Sequence, residues 1–250
     1  MNLPKPNKIN AEKYVAGLSS FKRKTVKIKL SANESALGPS PRARKEFIKI
    51  SKNLNRYPDS NGSVLKKTLA KKFKLDPNRI ILGSGSDQIF ELICRVFLKK
   101  GDEVVVPQFS FIIYRIYSKI CGAKIRFAKE KDFKISVDNI LSKVTKKTKI
   151  VFLANPNNPT GTIISKKELL RLRKKLRRNI LLVIDDAYFE YVKDKNYLSG
   201  IKLFSNSKNV IVTRTFSKIY GLAGLRVGWG YGPKNLIYAL NQVKPPFNIN

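Results

Sequence analysis

The sequence has no histidine, two cysteines, one methionine and one tryptophan in 250 residues. Without histidine there can be no Ser-His-Asp triad, no Cys-His pair, no imidazole-ligated zinc and no imidazole general base. Proton transfer must then fall to Lys, Tyr, Asp or Glu. The two cysteines, Cys94 and Cys121, are not spaced as a metal-binding pair, and no metal site is expected. With no targeting segment recognisable, they read as reduced thiols of a cytoplasmic protein. Long apolar runs are also missing. The longest, Ile150–Ala154 and Ile180–Ile184, fall far short of the roughly 20 residues of a membrane-spanning helix, so no membrane partner is expected. The opening MNLPKPNKINAEKYV lacks the apolar stretch of a secretory signal.

Acidic residues are scarce: 17 Asp and Glu stand against 51 Lys and Arg, for a formal charge of +34. Such a balance suggests nucleic acid as a partner. The distribution argues otherwise. The 37 lysines outnumber the 14 arginines and are scattered over nearly every polar segment. Only Lys166–Arg178 is dense. A lysine-biased composition accounts for this, and the net field should draw in small anions. The hydrophobic share of 42% is that of an ordinary globular chain, long enough for a sizeable core.

Residues 1–30 read as an irregular basic arm, followed by the turn-rich SANESALGPSP (Ser31–Pro41). Helices are predicted over Pro41–Leu54 and Val64–Phe73, separated by the turn formers of NRYPDSNGS. From Arg79 onward, short apolar runs predict strands at Ile80–Leu82, Val104–Val106, Lys124–Phe127, Lys149–Leu153, Leu181–Asp185, Val210–Arg214 and Arg226–Trp229. Helical patterns alternate with several of them. The clearest spans Asp87–Leu98, where Ile89, Leu92, Ile93, Val96 and Phe97 share one face. Another begins at Ser165, with Glu168 placed to complete a capping box. This alternation predicts an α/β fold: a mostly parallel, seven-stranded sheet with helices on both faces. Ligands of such sheets bind beyond the carboxyl ends of the strands. Here the polar segments Gly83–Asp87, Gln108–Ser110, Asn155–Thr160, Asp185–Tyr188 and Thr215–Lys218 all follow strands.

Each segment has a chemical and a bland reading. Gly83-Ser84-Gly85-Ser86-Asp87 suits a phosphate cradle at a helix N-terminus, or a tight turn with Ser86 as helix cap. A dinucleotide fingerprint would need a third glycine where Gln88 stands, and an acid at the end of the next strand, whereas Glu103 sits at its start. Asn155–Gly161 is a proline-rich turn that would hold Asn158 stiffly. The Asp185-Asp186 carboxylates could bind a metal or act as an acid/base pair; on the bland reading Asp186 is a solvated turn residue, but Asp185 ends an apolar strand and needs a partner if buried. Lys218 lies between a strand and a Gly-rich segment. With Ser217, Arg226 and Asp185 it could hold a phosphorylated aromatic aldehyde.

In order along the chain, NPNNPTG, DDAY and TRTFSKIYGLAGLRVGW resemble the class I and II aminotransferases, pyridoxal-phosphate enzymes of fold type I. SANESALGPSP, LNRYPD, GSGSDQIFEL, VFLANPNNPTGT and PPFNIN are similar to the histidinol-phosphate aminotransferase branch. The similarity covers nearly the whole chain and is weakest over residues 1–25. It implies a pyridoxal 5'-phosphate cofactor with Lys218 as the Schiff-base lysine and proton shuttle. It further implies Asp185 at the pyridine nitrogen, Tyr188 and Asn158 at the ring oxygen, and Phe109 stacked on the ring. The phosphate would be held by Ser86, Asp87, Ser217 and Arg226, with Tyr57 contributed by the partner subunit of a homodimer. Asn33 and Glu34 fall in the substrate-side segment without a definite role. The implied reaction exchanges amino groups between histidinol phosphate and 2-oxoglutarate, in histidine biosynthesis. An aromatic-amino-acid transaminase, a phospho-threonine decarboxylase and a catalytically impaired cofactor-binding fragment are the alternatives. The implied layout is an arm and substrate-side segment over 1–40 and a cofactor-binding large domain over 41–250, with a small C-terminal domain missing. The arginine that grips the substrate's acid group cannot be assigned. Asp186 stands where the family usually has Glu, a change expected to matter little.

Overall fold

Seven short apolar runs become the seven strands of one sheet in the computed structural model, which describes residues 11–15, 17, 20, 21, 24, 25 and 29–249. Much of the expected basic arm, and Asn250 of the PPFNIN stretch, lie outside the described residues. In the arm, β1 (Ser20–Phe21) pairs antiparallel with β2 (Lys24–Thr25). Then follow α1 (Pro41–Ile50) and α2 (Ser63–Phe73). Ser40 caps α1 by accepting from the Ala43 N–H, with Pro41 pre-set at the first helical position. The expected helix to Leu54 finishes as a 3-10 turn over Ser51–Asn53.

The remaining elements alternate as read: β3 (Ile80–Ser84), α3 (Gly85–Phe97), β4 (Glu103–Pro107), α4 (Ile113–Ile120), β5 (Lys124–Ala128), α5 (Val137–Ser142), β6 (Thr148–Ala154), α6 (Lys166–Lys175), β7 (Leu181–Asp185), α7 (Gly200–Phe204), β8 (Val210–Thr215), β9 (Val227–Tyr231) and α8 (Lys234–Val243). The sheet order is β3-β9-β8-β7-β6-β4-β5. All strands run parallel except β9, which is antiparallel to both neighbours. The cause is local. A parallel return needs a crossover of about a dozen residues or more, usually a helix. Segment 216–226 holds only a 3-10 turn at Ala223–Leu225, so the chain folds straight back.

Strand residues alternate between two cores. On β6, Ile150, Phe152 and Ala154 join one, and Val151 and Leu153 the other. The first is covered by α3, α4 and α8, the second by α2, α5, α6 and α7. The amphipathic face predicted for α3 is the buried one: Ile89, Leu92 and Ile93 are fully enclosed, with Val96 and Phe97 packed at the edge.

The dense basic run is partly consumed by the fold. Arg171 bridges Glu168 and Asp138, and Arg173 donates to the carbonyls of Leu176, Arg177 and Ile180. Ser165 caps α6 as expected, but Glu168 does not reach back to complete the box, because its carboxylate pairs with Arg171. Among the described residues no helix is long and apolar enough to cross a membrane. Cys94 is buried and its thiol is pushed up to about 12 by desolvation; neither it nor Cys121 is disulfide-bonded.

Phe152 lies at the centre of this architecture, fully buried on β6 and stacked on Tyr114 with ring centroids 5.0 Å apart. Phe152→Ala is expected to lower unfolding free energy by about 3–5 kcal/mol in urea titrations. A loss under about 1 kcal/mol would show that the core re-packs around the void.

Candidate functional site

Parallel strands put the starts of their following loops at one end of the sheet, and that geometry assembles the site. A cavity of about 620 Å³ opens there. Its lining includes Ser86 and Asp87 after β3, Ser110 and Phe111 after β4, and Asn158 after β6. Asp185 and Tyr188 after β7, and Ser217, Lys218 and Arg226 after β8, complete the ring. Segment Ser31–Glu34 contributes to the wall as well. Eight of the ten residues singled out in the sequence for the site are therefore brought together.

Asp185 forms the floor. One carboxylate oxygen accepts from the Tyr114 hydroxyl at 2.7 Å; the other accepts from Thr213 Oγ1 at 3.1 Å and the Ala187 N–H at 3.2 Å. Burial pushes its pKa up to about 6 despite these donors. Tyr114 escaped the sequence reading because it sits in the apolar run FIIY, where it looks like core. Its signal was chemical: a tyrosine buried among Phe90, Phe111 and Phe152 still needs a partner for its hydroxyl.

Lys218 is poised above this floor. Its Nζ donates to the Ala32 carbonyl at 3.1 Å and lies 5.6 Å from the centre of the Tyr188 ring. Burial lowers its pKa, opposed by the charges of Asp87 and Asp185. Tyr188 accepts from Asn33 Nδ2 at 3.1 Å, and burial raises its pKa. Asn33, left without a role by the sequence, thus touches the site. Glu34 pairs with Lys29 at 3.0 Å.

The anion cradle is made by a close approach. The helix starts at Gly85 with Ser84 as N-cap, so Ser86 lies in the first turn and is not the cap suggested as the bland reading. First-turn N–H groups have no partner within their own helix. Gly85 has φ +72°, and a Cβ there would fall 2.4 Å from Arg226 Nη2. A Cβ at Gly228 would fall 2.3 Å from the Ser86 nitrogen. Only glycines let the guanidinium, strand β9 and the helix N-terminus crowd together. Arg226 Nη1 donates to Ser217 Oγ at 3.3 Å, and its Nη2 lies 3.7 Å from Asp87. The Asp87 carboxyl is shifted upward by burial, opposed by Arg226 and Lys218. A guanidinium, a serine hydroxyl and helix N–H groups suit a phosphate. An amine and a buried carboxylate nearby suit an aromatic aldehyde carrying a ring nitrogen.

Two expectations change, those for Phe109 and Asp186. Phe109 is not in the cavity wall: its ring lies 5.8 Å from that of Phe133, while its N–H donates to Glu130. Phe111 lines the cavity instead. The strand ends at Pro107, and the turn that follows places Phe111, next to the start of α4, inward. Tyr57 lies outside its own chain's cavity, exposed and stacked on Phe247 at 4.6 Å. Asp186 is no solvated turn residue but fully buried. One of its oxygens accepts from Ser199 Oγ and the Gly200 N–H; the other has no hydrogen-bond partner. It turns inward because it continues strand β7, donating its own N–H to the Thr213 carbonyl.

The profile of the family described as aminotransferase class I and II matches residues 25–250. The chain is 57% identical over its full length to a histidinol-phosphate aminotransferase of Pelagibacter ubique, spanning 69% of that relative. It is 46% identical over 98% of its length to one from Paramagnetospirillum magneticum, spanning 68% of it. The crystal structure of histidinol-phosphate aminotransferase from Sinorhizobium meliloti in complex with pyridoxal-5'-phosphate superposes with a TM-score of 0.83 at 28% identity. That match takes in 87% of this chain and 59% of the solved one.

Burial pushes the Asp186 pKa from 3.8 up to about 7, with Arg214 opposing. A carboxyl with a raised folded-state pKa favours the folded state while protonated, and that advantage is lost as pH rises. Asp186→Asn removes the ionisation. Its melting temperature relative to the parent chain is expected to climb between pH 3.8 and about 7 and then level off. A difference that stays flat across this range would show that Asp186 is not buried as a neutral acid.

Proposed function

Because the chain belongs to the class I and II aminotransferases, we propose that it binds pyridoxal phosphate at the strand ends and exchanges amino groups between glutamate and imidazole acetol phosphate. The product pair is 2-oxoglutarate and histidinol phosphate, a step of histidine biosynthesis, the activity for which its curated relatives are named. The observation that carries this reading is the placement of the Lys218 amine in one cavity with buried Asp185 and a cradle of Ser86, Asp87, Ser217 and Arg226.

When bound, pyridoxal phosphate supplies an aldehyde for amino groups and a ring that takes up electron density when its nitrogen is protonated. The chain's own groups divide the remaining work. Arg226, Ser217 and the Ser86 and Asp87 N–H groups hold the phosphate. Asp185 holds the proton on the ring nitrogen; above about pH 6 it is ionised and can do so. Tyr114 and Thr213 fix the direction of its carboxylate. Asn158 and Tyr188 hold the ring hydroxyl, and Phe111 lines the cavity beside them. Lys218, with its pKa lowered by burial, has a larger neutral fraction than an exposed lysine, so Nζ can take and return the substrate's carbon-bound proton. Its bond to the Ala32 carbonyl must open first.

We place the cofactor-binding domain at 41–250 and the substrate-side arm at 1–40, in a homodimer. Helix α1 has no buried residue and exposes Phe47, Ile48 and Ile50, with Leu54 and Tyr57 beyond it. A second copy would cover this apolar set and take Tyr57 toward its own cradle.

Titration with pyridoxal phosphate, followed by absorbance, should give a spectral shift that Lys218→Ala abolishes; a shift unchanged in that variant would overturn the reading. Amino transfer from glutamate should be faster to imidazole acetol phosphate than to aromatic keto acids. Carbon dioxide release from phosphothreonine would instead favour a decarboxylase. Asp185→Asn is expected to bind cofactor but to turn over at least about 100-fold more slowly, since one misplaced proton removes the electron sink. Arg226→Lys should weaken cofactor binding by about 1–3 kcal/mol with turnover preserved at saturation, as a bidentate contact becomes a point charge. Normal affinity in that variant would remove Arg226 from the cradle.

A further inference from the structure

Gln88 stands where a dinucleotide-binding turn would carry its third glycine, and no step of the proposed reaction uses it. Its side-chain oxygen nevertheless accepts two bonds beside the cradle. Gln88 Oε1 accepts from the Ser84 backbone N–H at 2.9 Å and from Asn248 Nδ2 at 2.6 Å. Asn248 Nδ2 also donates to the Leu82 carbonyl at 3.1 Å. One amide therefore ties the end of strand β3 to the first turns of helix α3, spanning the Gly83–Asp87 turn between them.

The other end of that amide is anchored too. Asn248 Oδ1 accepts from Lys244 Nζ at 2.9 Å, and the same ammonium donates to the Ser60 carbonyl at 3.3 Å. Ile249 is 8% exposed and belongs to the core under the sheet. A Cβ at Gly62 would lie 3.3 Å from its Cδ1, so the chain after α8 is pinned against the loop before α2.

The turn needs such a brace. Ser84 is the N-cap of α3, but its side chain makes no capping bond. Gln88 accepts instead from the cap residue's own N–H, the reciprocal bond of a capping box. Gly83 and Gly85 flank Ser84, and glycines leave the backbone the widest choice of conformations. N–H groups that must all aim at one anion lose their value if the turn wanders. We propose that Gln88 and Asn248 form an amide clamp that holds the Gly83–Asp87 turn in its phosphate-binding shape, making both positioning residues for the phosphate end of the ligand. The clamp rests on the cofactor reading above and adds to it that the segment after α8 sets the cradle.

The test compares two ligands that differ only in the phosphate, pyridoxal phosphate and pyridoxal, on the full chain and on Gln88→Met and Asn248→Ala. Each variant is expected to bind pyridoxal phosphate about tenfold more weakly, because each breaks the Gln88–Asn248 bond that closes the clamp. Pyridoxal affinity should stay within about twofold, since its contacts lie at the other end of the cavity. The double variant should lose less than the product of the two single effects, because both substitutions break the one bond they share. If Gln88→Met does not fold, Asn248→Ala carries the comparison. Unchanged pyridoxal phosphate affinity in a folded variant overturns the clamp, as does an equal loss for both ligands. A parent chain with no preference for pyridoxal phosphate over pyridoxal overturns the cradle itself, and the clamp with it.

Discussion

A carboxylate buried at the end of a central strand is costly unless donors surround it, and the site is organised around meeting that demand for Asp185. Tyr114 comes from helix α4, Thr213 from the neighbouring strand β8, and the Ala187 N–H from the turn that follows. Each donor belongs to a different element, so the position of one acid fixes how helix, sheet and turn meet. The same tyrosine stacks on Phe152 and meets Phe90 edge-on, which ties the polar floor of the cavity directly to the apolar core. Rigidity at the floor follows from packing, and packing from the alternation of strand residues between two cores.

A second constraint is space. The candidate cradle depends on glycine at 85, whose φ of +72° suits no side chain, and at 228, where a Cβ would strike the Ser86 backbone nitrogen. Arg226 itself has φ +51°, a left-handed conformation that closes the 3-10 turn and points its backbone carbonyl at the Gly85 N–H. Backbone and side chain of one residue thus serve both the turn and the cradle. The antiparallel return of β9 is what makes this possible. It brings segment 216–226 back over the same strand ends that carry Ser86 and Asp185.

The large positive charge serves neither purpose as a whole. Several of its members are absorbed into local structure, as Arg173 is at the carbonyls ending α6. Arg214, buried against Phe73, Phe189 and Trp229, pairs with Glu190 and offsets the neighbouring Asp186. What remains exposed gives an attractive field for anions, which suits phosphorylated ligands without specifying any of them.

The order of strands and helices, the buried face of α3 and the polar residues at the strand ends were legible in the residues, because periodicity and turn chemistry are local properties. The resemblance of the motifs, taken in order, singled out Lys218, Asp185 and Arg226, and the fold brings all three to one cavity. Contacts between distant segments were not legible. Tyr114 looked like core because its hydroxyl partner lies 71 positions away. Phe109 and Phe111 were indistinguishable as rings, and only the turn after β4 decided which one faces the cavity. Asp186 read as solvated because sequence cannot show that a turn continues inward to Ser199 and Gly200. The brace of Gln88 by Asn248 joins residues 160 positions apart, and no local pattern announces it. The sequence by itself determined which residues could do chemistry. The tertiary structure alone decided which of them meet, because burial and hydrogen-bond partnership depend on what the folded chain places beside each group.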